Sequence, residues 1–126
     1  MKNERVLITR LGDPGVLKLV VDDLRDPQPG EVRVQILATG VSFADILMRR
    51  GLYRPVPPLP YAPGYDIVGV VETPGSLVRP GQMVAALTVT GGYAQFMNIA
   101  ESELAPVPAG LDPAAAVCLV LNYVTA

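Results

Sequence analysis

The sequence predicts a mainly β fold with short helices, a small and partly open β-barrel with a helical C-terminal end, and three features carry that prediction. Short apolar segments recur along the 126 residues; 13 prolines and 12 glycines fall between them; and helical spacing is confined to a brief stretch after residue 42 and to the residues after 111. Period-2 alternation marks strands half-buried against a core, and Pro and Gly punctuate the chain where it must turn.

Taken in order, "ERVLITR" and "VLKLVV" form two strands around "LGDPG", where Asp13-Pro14-Gly15 supplies the fixed and the permissive torsions of a tight reversal. "DPQPGE" is a second turn. In "EVRVQILATG", Val32, Val34, Ile36 and Ala38 alternate with Arg33, Gln35 and Leu37, which predicts a strand with the first set on its buried face. "FADILMRRG" then places Phe43, Ile46, Leu47 and Arg50 at helical spacing, pairs Asp45 with Arg49 at i,i+4, and stops at Gly51. Five prolines in "YRPVPPLPYAPG" exclude regular structure there and predict a stiff, ordered loop. "YDIVGVVE", "MVAALTV", "GYAQFMNI" and "LAPVP" follow as strands separated by Gly or polar breaks. Asp112 as N-cap and Pro113 at the first helical position open a helical end over "LDPAAAVCLVLNYVTA", and the lone Cys118 within it is expected to be a small buried hydrophobe.

Composition excludes several functions. A net charge of -2 offers no field for phosphates, so nucleic acid is not an expected partner. The longest apolar run, Ala114 to Leu121, falls far short of the roughly 20 residues that cross a bilayer, and "MKNER" lacks the apolar core of a signal peptide, so the expected location is the cytoplasm. With no histidine and one cysteine, neither a nitrogen-and-sulfur zinc site nor Ser-His-Asp or Cys-His catalysis can be assembled. An enzyme of this composition takes its chemistry from a cofactor or from further polypeptide. The helical pattern meets Ala126 without a stop signal, which reads as a cut within a longer chain.

Six strings in register, "ATGVSFADILMRRGLY", "APGYDIVGVVE", "RPGQMVAAL", "GGYAQFMNI", "PAGLDPAAAV" and "LNYVTA", resemble the N-terminal GroES-like catalytic domain of the zinc-free quinone oxidoreductases, members of the medium-chain dehydrogenase/reductases. The first and last strings look closest to the branch of the vesicle amine transport protein homologues. The resemblance spans residues 1–126 and implies one GroES-like domain, truncated before its Rossmann domain. It also implies hydride transfer from NADPH to a quinone or α,β-unsaturated carbonyl in the cleft between the two domains, with the cofactor carrying the reaction and the protein positioning it. Zinc-dependent relatives place a Cys where Ser42 stands, a His where Tyr65 stands and a second Cys near Leu121, so the resemblance implies no metal.

By the same resemblance Tyr53 is a candidate catalytic residue, its phenol placed to hydrogen-bond a substrate oxygen as charge develops there, or else a packing residue for the proline loop. Ser42 has two readings of nearly equal weight: a helix cap alone, or a cap that also contacts the cofactor. Tyr65 is placed in the substrate cleft as a filler of the lost ligand's pocket. Asn122 and Thr125 resemble the stretch beneath the nicotinamide, against a plain helix-surface role. Asp45 and Asp66 are expected to be structural, bonding Arg49 and backbone or a basic side chain, respectively. No glycine-rich dinucleotide fingerprint is present, so these residues alone are not expected to bind NADPH well or to turn over. Apolar surface that would meet a Rossmann domain is a route to self-association, with a homodimer as one outcome. A non-enzymatic GroES-like scaffold and a piece of a polyketide synthase enoyl reductase are the alternatives, the first disfavoured because the stiff proline loop is the opposite of a flexible docking loop.

Overall fold

A computed structural model describes residues 1–120. Seven strands form, as the alternation predicts: β1 (Lys2–Ile8), β2 (Leu17–Asp23), β3 (Glu31–Thr39), β4 (Asp66–Val71), β5 (Met83–Leu87), β6 (Phe96–Ala100) and the two-residue β7 (Ala105–Pro106). Two helices accompany them, α1 (Phe43–Arg49) and α2 (Pro113–Cys118). β1 and β2 make a two-stranded sheet, and the other strands make a sheet in the order β6-β3-β4-β5-β7, every pairing antiparallel. The larger sheet does not close on itself; isolated bridges from Arg5 to Ala94 and from Ile8 to Tyr61 join β1 to the rest.

The main core lies on one face of β3 and β4, where Val32, Val34, Ile67 and Val71 pack with Val84 and Ile99. One predicted orientation is wrong. Ile36 pairs with Gly69 but Ala38 pairs with Val68, so Leu37 is a bulge and the alternation shifts by one. Ala38 therefore leaves the face of Val32, Val34 and Ile36 and joins a second cluster, with Val68 and with Ala116 and Val117 of α2. Gly69 opposite the bulge has no substitute: a Cβ there would collide with the Gln35 carbonyl oxygen.

Asp112 caps α2 as expected, its carboxylate accepting from the Ala115 amide at 3.0 Å, with Pro113 in the first turn. Cys118, however, is exposed. α2 turns Ala116 and Val117 onto the sheet and presents Cys118 and Leu119 away from it, so a run of consecutive apolar residues conceals a one-sided helix. The proline loop forms no helix or named strand, as predicted, and is joined to β1 by paired backbone bonds between Ile8 and Tyr61 of 2.8 and 3.1 Å.

Candidate functional site

α1 begins where β3 ends, and its N-terminus organises the site. Ser42 is the N-cap, extended at φ -111°, and is 4% exposed. Its hydroxyl accepts from the Asp45 amide at 3.2 Å, while the Asp45 carboxylate accepts from the Ser42 amide at 3.0 Å and from its hydroxyl at 2.9 Å. This is a capping box with Asp in the reciprocal position.

Asp45 does more than cap. The other oxygen of its carboxylate accepts from the Gly64 amide at 3.2 Å, and the Tyr93 hydroxyl donates to the capping oxygen at 3.4 Å. The predicted Asp45–Arg49 pair is absent: Arg49 donates instead to the Gly12 carbonyl at 2.6 Å, anchoring α1 to the β1–β2 turn. An i,i+4 ion pair belongs to an exposed helix face. Both of these residues are buried, and the Asp45 carboxylate is occupied by donors from three segments.

Gly64 enters this arrangement because only glycine fits. Its φ is +117°, and a Cβ would strike the backbone of Gly92, whose amide donates to the Gly64 carbonyl at 3.1 Å. Thr88 donates to the same carbonyl at 2.6 Å. Asp66, fully buried at the start of β4, accepts from the Gly40 amide at 3.0 Å, the backbone role expected of it. Ends of β3 and β4, the N-terminus of α1 and the turn before Tyr93 are thus drawn together through two carboxylates.

Gly51, at φ +75°, stops α1 as predicted, and the chain delivers Tyr53 to Tyr65, hydroxyl to hydroxyl at 3.3 Å. Both rings are half-buried against a cluster of Ile8, Val16, Met48 and Tyr61, to which Ala44 of α1 also contributes. The hydrogen bond with Tyr53 and then burial raise the pKa of Tyr65 above the usual phenol value. Either hydroxyl of the pair can act as the donor. Tyr93 is pushed up to about 12, chiefly by burial and then by the nearby Asp45 charge.

The structure thus joins Tyr53 to Tyr65 and places Ser42 on the same helix that packs beneath them, with the serine bonded to Asp45 rather than to either tyrosine. Asn122 and Thr125 lie outside the described residues. Sequence reasoning passed over Tyr93, Gly64 and the bridging role of Asp45. The Ser42-x-x-Asp45 spacing was the available signal, being that of a capping box. Val41 and Phe43 flank the buried serine and are 71% and 72% exposed, an apolar lip on either side of it. Among the described residues no group of three or more His, Cys, Asp or Glu side chains could hold a metal, and no helix is long and apolar enough to cross a membrane.

Residues 28–109 match the alcohol dehydrogenase GroES-like domain. The chain is 36% identical to the quinone oxidoreductase of Rattus norvegicus over 126 residues, covering 96% of this chain and 38% of that protein. It is 34% identical to the synaptic vesicle membrane protein VAT-1 homolog of Rattus norvegicus over 103 residues, covering 79% of this chain and 26% of that one. Among solved structures, the Escherichia coli quinone oxidoreductase complexed with NADPH superposes with a TM-score of 0.88 at 31% identity, over 97% of this chain and 38% of the other. The chain thus spans 38% of the length of each of these two quinone oxidoreductases.

Proposed function

The chain belongs to the alcohol dehydrogenase GroES-like domain family, alongside quinone oxidoreductases of the medium-chain dehydrogenase/reductases, and from that premise we propose that residues 1–126 are the catalytic domain of a zinc-independent, NADPH-dependent reductase of quinones or α,β-unsaturated carbonyls. The observation that carries the reading is the hydroxyl pair of Tyr53 and Tyr65 on the cluster beside α1. When bound, the reduced nicotinamide supplies a hydride, and the acceptor's carbonyl oxygen gains negative charge as the hydride arrives. Either hydroxyl of the pair can donate, and with Tyr65 donating to the Tyr53 oxygen the Tyr53 hydroxyl is oriented. The Tyr53 proton is then free to point at the acceptor oxygen and stabilise the charge that develops there.

This chain's donor set fits such a role better than it fits a metal. The Ser42 hydroxyl hydrogen is directed to Asp45, and that carboxylate already accepts from two amides and two hydroxyls. Polarisation therefore falls to a phenol. Val41 and Phe43 offer exposed apolar surface beside Ser42 for a flat ring, and Ser42 itself acts on the cofactor side through its one remaining lone pair. Tyr65 lines the substrate cleft; Asn122 and Thr125 are assigned to the carboxamide side by family likeness alone. We place the activity in the cytoplasm.

Residues 1–126 offer no dinucleotide fingerprint and are expected to show no NADPH-dependent quinone reduction alone. Grafted in place of the matching segment of the Escherichia coli quinone oxidoreductase, they should support it, and Tyr53→Phe in that graft should lower kcat about tenfold to a hundredfold with KM for NADPH unchanged, the signature of a lost transition-state donor. Turnover by the 126 residues alone, or a folded graft that binds NADPH yet reduces neither a quinone nor an enone, would overturn the proposal.

A further inference from the structure

The outer edge of β2 is a strand in search of a partner. In β1, the even-numbered residues bond away from β2: Val6 donates to the Tyr93 carbonyl, Ile8 to that of Tyr61, and Glu4 accepts from Gln95. The odd-numbered residues of β1 therefore form the ladder with β2, and by the register Asn3↔Asp22, Arg5↔Val20 and Leu7↔Lys18 it is the even-numbered residues of β2 that face it. Leu19, Val21 and Asp23 consequently direct their amides and carbonyls outward, where the described residues provide no backbone partner. Leu17, Leu19 and Val21 also share one face of the strand and are 37%, 68% and 61% exposed. An open edge bordered by a continuous apolar row is the arrangement that soluble folds ordinarily break up.

The charges say what fits it. Lys18 and Asp22 lie symmetrically about Val20 on the opposite face of the same strand. Antiparallel pairing of β2 with a second copy, centred on Val20, sets Lys18 of each chain against Asp22 of the other. Leu19 and Val21 of one copy then exchange both backbone bonds with Val21 and Leu19 of its mate. Lys18 and Asp22 fall at non-hydrogen-bonded positions, where facing side chains approach most closely. Pairing centred on Leu19 would oppose Lys18 to Val20, and pairing centred on Val21 would oppose Leu19 to Asp23. Only the Val20 register matches charge to charge and apolar to apolar throughout its centre.

We infer that β2 is the interface of a two-fold homodimer, a continuous sheet β1-β2-β2-β1 across two copies of this chain. Asp22 stays bonded to Arg5 at 2.6 Å and, being partly exposed, has room for the second cation. The assembly closes at two copies because the far edge of β1 is already bonded to residues 61, 93 and 95. A single strand pair is smaller than the roughly 1,600 Å² of a standard interface, so the dimer is a weak one.

Sedimentation velocity over a concentration series on the 126-residue chain tests this, together with amide exchange read residue by residue. The wild type should pass from monomer to dimer, with concentration-dependent protection at Leu19, Val21 and Asp23. Lys18→Asp alone and Asp22→Lys alone should each weaken self-association about tenfold or more, since both place like charges opposite one another. An equimolar mixture of the two should form a heterodimer at least as readily as the wild type pairs with itself, because every facing pair is then complementary. Leu19→Pro, which removes an outward amide and leaves the β1 ladder intact, should be a folded monomer by circular dichroism and keeps the test open should Asp22→Lys fail to fold. A wild type that stays monomeric to millimolar concentration overturns the inference, as does a dimer indifferent to Lys18→Asp and Leu19→Pro. So does a longer polypeptide that is monomeric with the same amides protected, which would assign the edge to one of its own segments.

Discussion

Replacing Asp45 with alanine should be among the most damaging single changes in the described residues. The carboxylate, 5% exposed, accepts from the Ser42 amide, the Ser42 hydroxyl, the Gly64 amide and the Tyr93 hydroxyl. The two hydroxyls can rotate toward other partners, but the amides of Ser42 and Gly64 are fixed by the backbone. The Ser42 hydroxyl still accepts from the residue-45 amide, so the loss falls on the two buried amides, each costing about 1–2 kcal/mol without its acceptor, for a total of about 2–4 kcal/mol. Urea unfolding followed by circular dichroism measures it, with an unchanged m-value as the check that the same transition is being compared. Ser42→Ala should cost only about 1 kcal/mol, because it leaves the Gly64 and Tyr93 bonds in place, and the Ser42/Asp45 double-mutant cycle should return a coupling of at least about 0.5 kcal/mol. An Asp45→Ala variant within about 0.5 kcal/mol of wild type, or a Ser42→Ala variant as unstable as Asp45→Ala, would show that the carboxylate is not what joins α1 to the Gly64 turn.

Gly64→Ala should destabilise by about 2 kcal/mol or more in the same assay, because φ is +117° and the added carbon meets the Gly92 backbone. Glu31 is held down to about 2, first by its bond with Arg25 and then by the Gln28 amide. A depressed carboxylate contributes stability that is present above its unfolded value and lost as pH falls, so wild type should lose stability between about 4.5 and about 2, and Glu31→Gln should flatten that limb of the pH–stability curve. Tyr93 works with the opposite sign: its raised value stabilises the fold below the ordinary phenol pKa, and that contribution is lost as pH rises toward about 12. The difference in tyrosinate absorbance between wild type and Tyr93→Phe should accordingly titrate at about 12 rather than at the ordinary phenol value of 10.0.

How much of this was legible in the sequence depended on the range over which each signal acts. Strand alternation and caps are local, and β3, Ser42, Gly51, Asp112 and Pro113 fell where their neighbours dictated. Ala38 was misassigned because a bulge is specified by what stands opposite, here Gly69, and not by the bulged strand itself. Asp45 was misassigned for a related reason. Its spacing to Arg49 and its spacing to Ser42 are both valid helical signals, and burial decided between them, a property set by Gly64 and Tyr93, which are 19 and 48 residues away. The Tyr53–Tyr65 pair was suggested only as two separate residues of one cleft; their contact across the proline loop is a tertiary fact.

The same burial bears on what a serine at the end of β3 can do. Ser42 turns its hydroxyl back into its own helix, donating to Asp45 and accepting from the Asp45 amide. That bond works in both directions, so the cap, the carboxylate and the Gly64 turn form one unit, and moving any of them moves the start of α1. Ala44 and Met48, one and five residues past that start on the Asp45 side of the cap, pack into the cluster that holds Tyr53 and Tyr65. The serine can therefore govern where the tyrosine hydroxyls sit without touching them. A Ser42→Ala variant that shifted the Tyr53 and Tyr65 ring resonances while leaving those of Tyr93 in place would demonstrate that path; one that moved neither tyrosine of the pair would confine Ser42 to its own helix turn.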